Sequence, residues 1–168
     1  MSLFPDSIDE LSSRIVKEFT QRQLTVATAE SCTGGLIAGA LTEIAGSSSV
    51  VDRGFVTYSN QAKMDLLGVQ AATLDTFGAV SKETSLQMAR GACLRAGVDL
   101  AVAVTGIAGP GGGSVEKPVG LVHLAVAGRD GLLLHREMRY GDLGREGIRL
   151  STVRTAMEML LEAAQAAA

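Results

Sequence analysis

The sequence predicts an α/β fold: a single-domain layered sandwich built on a mixed sheet. Three observations predict it. Residues 98–105, VDLAVAVT, form an almost unbroken apolar run, as in a strand covered on both faces. Apolar strand-like runs alternate along the chain with segments of helical period. Gly128-Arg129-Asp130-Gly131 joins two further strands, at 119–127 and 132–138, as a β-hairpin in the C-terminal half, so antiparallel pairing enters the sheet.

The elements follow in order. Ser7 and Glu10 have capping-box spacing, and Ile8, Leu11, Ile15 and Phe19 continue with helical period, which predicts an amphipathic helix over 7–21. Residues 24–29 read as a buried strand. Leu36, Ile37, Ala40, Leu41 and Ile44 then recur at helical spacing, with Ser31 or Thr33 as the expected cap. Gly46 and three serines make a loop before a strand over 50–58. The turn Thr57-Tyr58-Ser59-Asn60 offers caps to a short helix that carries Lys63 and stops near Gly68. Ser81-Lys82-Glu83-Thr84 opens another helix, which puts Cys93 in the core and ends at Gly97. Asp142 is the expected cap of the last helix, whose apolar stripe is Leu150, Val153, Met157, Leu160 and Leu161. The alanine-rich tail is expected to fray.

The 168 residues, 46% hydrophobic and 20% charged, suit one domain over 1–168 with a proper core. A net charge of -3 gives no broad footprint for nucleic acid, so an anionic ligand needs a local site. Cys32 and Cys93 have neither metal-ligand spacing nor the pattern of a secreted disulfide framework. No apolar stretch approaches the roughly 20 residues that cross a bilayer. The reading is a cytoplasmic protein without membrane or nucleic-acid partners, and a homo-oligomer is left open.

The stretch where the first strand runs into residues 31–35, Ser-Cys-Thr-Gly-Gly, is the candidate for chemistry. Glycines are poor residues for a first helical turn, so Gly34 and Gly35 suggest that backbone amides approach another group. A helix N-terminus with unpaired N–H groups suits a developing oxyanion, and Ser31 adjoins it. Two readings stay open on spacing: a capped, closely packed turn or a nucleophile. G-x-S-x-G is absent. Cys32 could be a nucleophile only with a histidine partner, and His123 and His135 lie inside strands, where they read as structural. Lys63, early in its helix, is either an exposed lysine or an amine that the helix dipole favours in its neutral form. The 106–120 loop, GIAGPGGGSVEKPVG, matches neither the phosphate-loop nor the dinucleotide fingerprint; its glycines either supply amides to a substrate or simply form a mobile loop. Arg145 and Arg149 share a face at the positive end of the last helix. They either meet an anion or pair with carboxylates such as Asp142 and Glu146.

Four separated stretches, AESCTGGLIAGALTEIAGSS, FVTYSNQAKMDLLGV, GAVSKETSLQMARGA and AVTGIAGPGGGSVEKPVG, together resemble the CinA C-terminal domain family, and the likeness covers most of the chain. Active members of that family are nicotinamide-nucleotide amidases. The resemblance implies an α/β sandwich and hydrolysis of the carboxamide of nicotinamide mononucleotide to nicotinate mononucleotide and ammonia, without metal or cofactor. It matches Ser31 to the nucleophile, Lys63 to its proton acceptor and Thr105 to the threonine that supports the pair. Substrate contacts are expected from Thr33, Gly34 and Gly35 in the first turn, from Tyr58, Gly106 and Gly109 around it, and from Arg145 and Arg149 at the phosphate. In place of the compact G-D-R run that commonly opens the family's last helix, this chain has Gly141-Asp142-Leu143-Gly144-Arg145. Two rivals remain on sequence alone: a non-catalytic pyridine-nucleotide-binding module, and a serine amidase for a related amide.

Overall fold

The computed structural model describes residues 1–167. Five strands, β1 (Val26–Glu30), β2 (Val51–Val56), β3 (Leu100–Gly106), β4 (Leu121–Gly128) and β5 (Leu133–Arg139), form one sheet in the order β2-β1-β3-β4-β5. The first three are parallel, and β4 and β5 add on antiparallel through the expected hairpin. The mixed, layered α/β architecture is thus the expected one.

Helices α1 (Asp6–Arg22), α2 (Leu36–Thr42) and α6 (Gly144–Ala166) cover one face; α3 (Asn60–Leu67), α4 (Ala71–Phe77) and α5 (Lys82–Ala96) cover the other. Period-2 alternation sorts side chains by size. On β3, Leu100, Val102 and Val104 pack toward α1 and α6, whereas Ala101 and Ala103 face α5. Alanines Ala27, Ala29, Ala125 and Ala127 continue that second surface, so α5 lies close to the sheet. The closeness extends to α3: a Cβ on Gly91 of α5 would lie 1.8 Å from the Leu67 carbonyl oxygen.

Several helix ends differ from expectation. Ser7 caps nothing: α1 starts after Pro5, whose fixed φ suits an entry to a helix. Neither Ser31 nor Thr33 caps α2, whose N-cap is Gly35 at φ 108°. Asp142 is not the cap of α6 either, since that helix follows Leu143 with no side-chain cap bond. By contrast, Ser59 Oγ accepts from Ala62 N at 3.0 Å and Ser81 Oγ from Thr84 N at 3.1 Å, as the sequence predicts. Helix α4 was not predicted, and β2 ends at Val56, two residues short of the expected strand. The alanine-rich tail holds helix to Ala166, and residue 168 lies outside the described residues.

Candidate active site

The site lies at the C-terminal ends of β1, β2 and β3; from the parallel neighbours β1 and β2 the chain leaves toward opposite faces, into α2 and α3, the usual ligand position in open α/β sheets. Strand β1 delivers Ser31 directly, and its amide donates to Val104 O at 3.1 Å. The opposing half comes from α3. There Ser59 caps the helix and Lys63, one turn in, points back under the end of β2.

Lys63 is 1% exposed and Ser31 8%. Lys63 Nζ lies 2.7 Å from Thr57 O, 3.2 Å from Tyr58 O and 3.0 Å from Ser31 Oγ. An ammonium would donate to all three. A neutral amine keeps two N–H bonds to the carbonyls and turns its lone pair to the Ser31 hydroxyl, which is the geometry of a base. Burial favours that form and lowers the Lys63 pKa to about 8, against a smaller raising effect from Cys32. Burial pushes the neighbouring Cys32 thiol up to about 11, so it stays protonated.

Ser31, Cys32, Lys63, Thr105, Tyr58 and Arg145 converge on a cavity of about 210 Å³ that Ala79, Val80, Gly106 and Ala108 complete. Thr105 bonds neither member of the pair: its hydroxyl donates to Ala79 O at 2.8 Å and so tethers the cavity wall between α4 and α5. Arg145 donates to Gly109 O at 2.7 Å and approaches the Tyr58 hydroxyl at 3.4 Å. Neither it nor Arg149 has a carboxylate partner among the described residues. Arg145 also borders a second, larger groove of about 770 Å³ lined by Leu3, Phe4, Pro5, Leu36, Glu146, Arg149 and Leu150. Arg145 thus lines both spaces.

The remaining predicted contacts serve the turn. Thr33 is fully buried and its hydroxyl donates to Glu30 Oε1 at 2.6 Å. Gly34 and Gly35 adopt φ of 59° and 108°, which makes the tight exit from β1 possible. Arg149 Nε and Nη2 donate to the carbonyls of Cys32 and Thr33, each at 3.1 Å. Thr33, Gly34, Gly35, Gly109 and Arg149 therefore lie outside the cavity lining, Gly109 touching it through its bond to Arg145.

Sequence reasoning passed over Glu30. Its buried carboxylate accepts from Thr33 Oγ1 and from the amides of Ile37 at 2.8 Å and Ala38 at 3.1 Å, supplying from the strand the cap that α2 lacks. A lone acid ending an apolar strand, three residues before Thr33, was the available signal. His123 and His135 also contact each other, with Nδ1 and Nε2 3.0 Å apart and rings stacked at 5.2 Å. Burial lowers the pKa of both, and neither reaches Cys32 or Ser31.

The nicotinamide-nucleotide amidohydrolase PncC of Enterobacter agglomerans is 50% identical over 155 residues, covering 92% of this chain and 93% of that protein. A CinA-like protein of Synechococcus sp. strain RCC307 is 51% identical over 153 residues, of which this chain spans only 36% of the length. The crystal structure of competence/damage inducible protein CihA from Agrobacterium tumefaciens superposes with a TM-score of 0.96 at 70% identity, covering 96% of this chain and 98% of that one. The CinA C-terminal domain model matches residues 8–164, and the chain belongs to that family.

Proposed function

We propose that this protein is a nicotinamide-nucleotide amidase that hydrolyses the carboxamide of nicotinamide mononucleotide to nicotinate mononucleotide and ammonia through a Ser31–Lys63 pair. The observation that carries this reading is the buried lysine whose nitrogen has two fixed carbonyl acceptors and one remaining direction, toward Ser31 Oγ. The 50% identity to a nicotinamide-nucleotide amidohydrolase over nearly the full length of both chains supports the substrate.

In this scheme neutral Lys63 takes the Ser31 proton as Oγ bonds to the carboxamide carbon, and the carbonyl electron pair moves onto oxygen. Collapse of the tetrahedral intermediate re-forms the carbonyl and breaks the C–N bond. The proton on Lys63 leaves with the nitrogen as ammonia. Water then attacks the acyl ester, Lys63 accepts its proton and returns it to Ser31 Oγ as nicotinate mononucleotide departs.

The 210 Å³ cavity beside Ser31 suits the pyridine ring, and the groove beyond Arg145 leaves room for the ribose phosphate. Arg145 then holds the phosphate as a charge-assisted ligand. Thr33, Gly34, Gly35, Gly106 and Gly109 shape the backbone around the bound amide, and Tyr58, at the rim, borders the sugar. The test is to follow ammonia release from nicotinamide mononucleotide in the presence of a chelator. Release that persists, and disappears in Ser31→Ala, supports the reading; activity restored only by an added divalent ion rejects it.

A further inference from the structure

We propose that Arg149 is a positioning residue for the oxyanion: by holding the Cys32 and Thr33 carbonyls it keeps the turn after Ser31 in the conformation that offers the Cys32 amide to the reacting carbonyl. This rests on the amidase reading above.

In a trans peptide the C=O and N–H vectors are antiparallel, so fixing one fixes the other. Arg149 Nε holds the Cys32 carbonyl, which sets the Thr33 N–H on the side away from α6; Nη2 holds the Thr33 carbonyl, the next plane along. The plane before them is set from within, because Ser31 O accepts from Gly34 N at 3.1 Å and turns the Cys32 N–H outward. The amides that follow Gly35 are engaged: Leu36 N with Thr33 O, and Ile37 N and Ala38 N with Glu30. Those of Cys32, Thr33 and Gly35 have no acceptor in another described residue, and of these three residues Cys32 alone lines the cavity. An unpaired amide on the cavity wall directly after the nucleophile is the kind of donor an oxyanion requires.

The restraint has to come from outside the turn. Two consecutive glycines at positive φ give the segment little stiffness of its own, and a flipped peptide would present a carbonyl where a donor is needed. Arg149 is 117 residues away in sequence and sits on the second turn of a long helix that packs on α1 and β3. Its planar fork suits two neighbouring carbonyls; an ammonium cannot bridge them in the same way. With both bonds directed to backbone oxygens, Arg149 acts on the turn, and Arg145 is left as the phosphate ligand.

The experiment compares wild type, Arg149→Lys and Arg149→Ala on nicotinamide mononucleotide and nicotinamide riboside, with thermal melting to verify folding. Pyridine-3-boronic acid, which forms an anionic tetrahedral adduct with a serine hydroxyl, probes the oxyanion site. We expect kcat to fall on the order of 10²-fold on both substrates in the folded variants. KM should stay within about twofold. The boronic acid should weaken by a factor similar to the loss in kcat, binding of nicotinate mononucleotide should not change, and guanidinium ion should restore part of the kcat of Arg149→Ala. A loss confined to KM and to the phosphorylated substrate, or unchanged kcat with only a lower melting temperature, overturns the inference while wild type remains active. If wild type releases no ammonia, or the boronic acid binds Ser31→Ala as well as wild type, the amidase reading itself fails and this inference with it.

Discussion

Lys63 Nζ and Ser31 Oγ meet at 3.0 Å although the residues are 32 positions apart, Ser31 at the end of a sheet strand and Lys63 on a helix that covers one face. Burial holds the Lys63 pKa at about 8, so a fraction of the amine is neutral near physiological pH. The rate kcat/KM on nicotinamide mononucleotide is therefore expected to rise with pH with a midpoint near 8. Lys63→Arg should lose activity across the whole range, because a guanidinium stays protonated. A flat pH profile would falsify the base role.

The same depressed pKa makes a stability prediction of definite sign. Between about 8 and 10.5 the unfolded chain carries the Lys63 proton and the folded chain does not. The unfolded state then binds more protons, so stability contributed through this residue increases as pH rises through that window and is lost on going down. Denaturant melts of wild type and Lys63→Met at pH 7 and pH 10 read it as a difference of differences. No change with pH in the gap between the two proteins would exclude the shift.

Ser31→Ala is expected to reduce turnover by orders of magnitude while the fold survives. Cys32→Ala should be mild, because a thiol whose pKa is pushed up to about 11 and which no histidine reaches is a poor nucleophile. The two variants assayed side by side decide the assignment. A dead Cys32→Ala with an active Ser31→Ala would reverse it.

Arg145→Ala should raise KM for nicotinamide mononucleotide by roughly tenfold or more, the effect of losing a charge-assisted contact of about 1.5–3 kcal/mol. Nicotinamide riboside, which lacks the phosphate, should be affected much less. Equal losses on both substrates would remove Arg145 from the phosphate site.

Gly91→Ala is expected to cost about 2–3 kcal/mol of stability despite the better helix propensity of alanine. The added methyl would overlap the Leu67 carbonyl, at 1.8 Å, so α3 and α5 must separate. Urea unfolding midpoints check this, and a variant as stable as wild type would show that the two helices can part freely.

What the sequence disclosed followed the range of the interactions involved. The Ser59 and Ser81 caps, the Gly128–Gly131 hairpin and the buried β3 were legible because each is decided within a few residues. Helix α4 was not: its seven residues, AATLDTF, carry no side-chain cap and too short an apolar stripe to show a period. The caps assigned to Ser7 and Asp142 failed because Pro5 and the Gly141–Gly144 turn set those entries through backbone geometry. Within the site, Ser31 and Lys63 emerged from motifs. The bonds of Glu30 to α2, of Thr105 to Ala79 and of Arg149 to the turn join segments that only the folded chain brings together.

The size-sorted sheet gives the Ser31–Lys63 pair an unusual dependence. Ser31 is referenced to the valine and leucine face through α2 and Arg149, whereas Lys63 hangs from α3, which rests on α5 and hence on the alanine face. The thickness of that alanine layer is thus a spacer for a chemical distance. Enlarging one of its members, as in Ala103→Val, would lift α5 and carry Lys63 away from a Ser31 that stays where it is. A substitution with no atom in the cavity could then silence the enzyme, while a change of similar volume on the opposite face would cost stability and leave the reacting atoms in register.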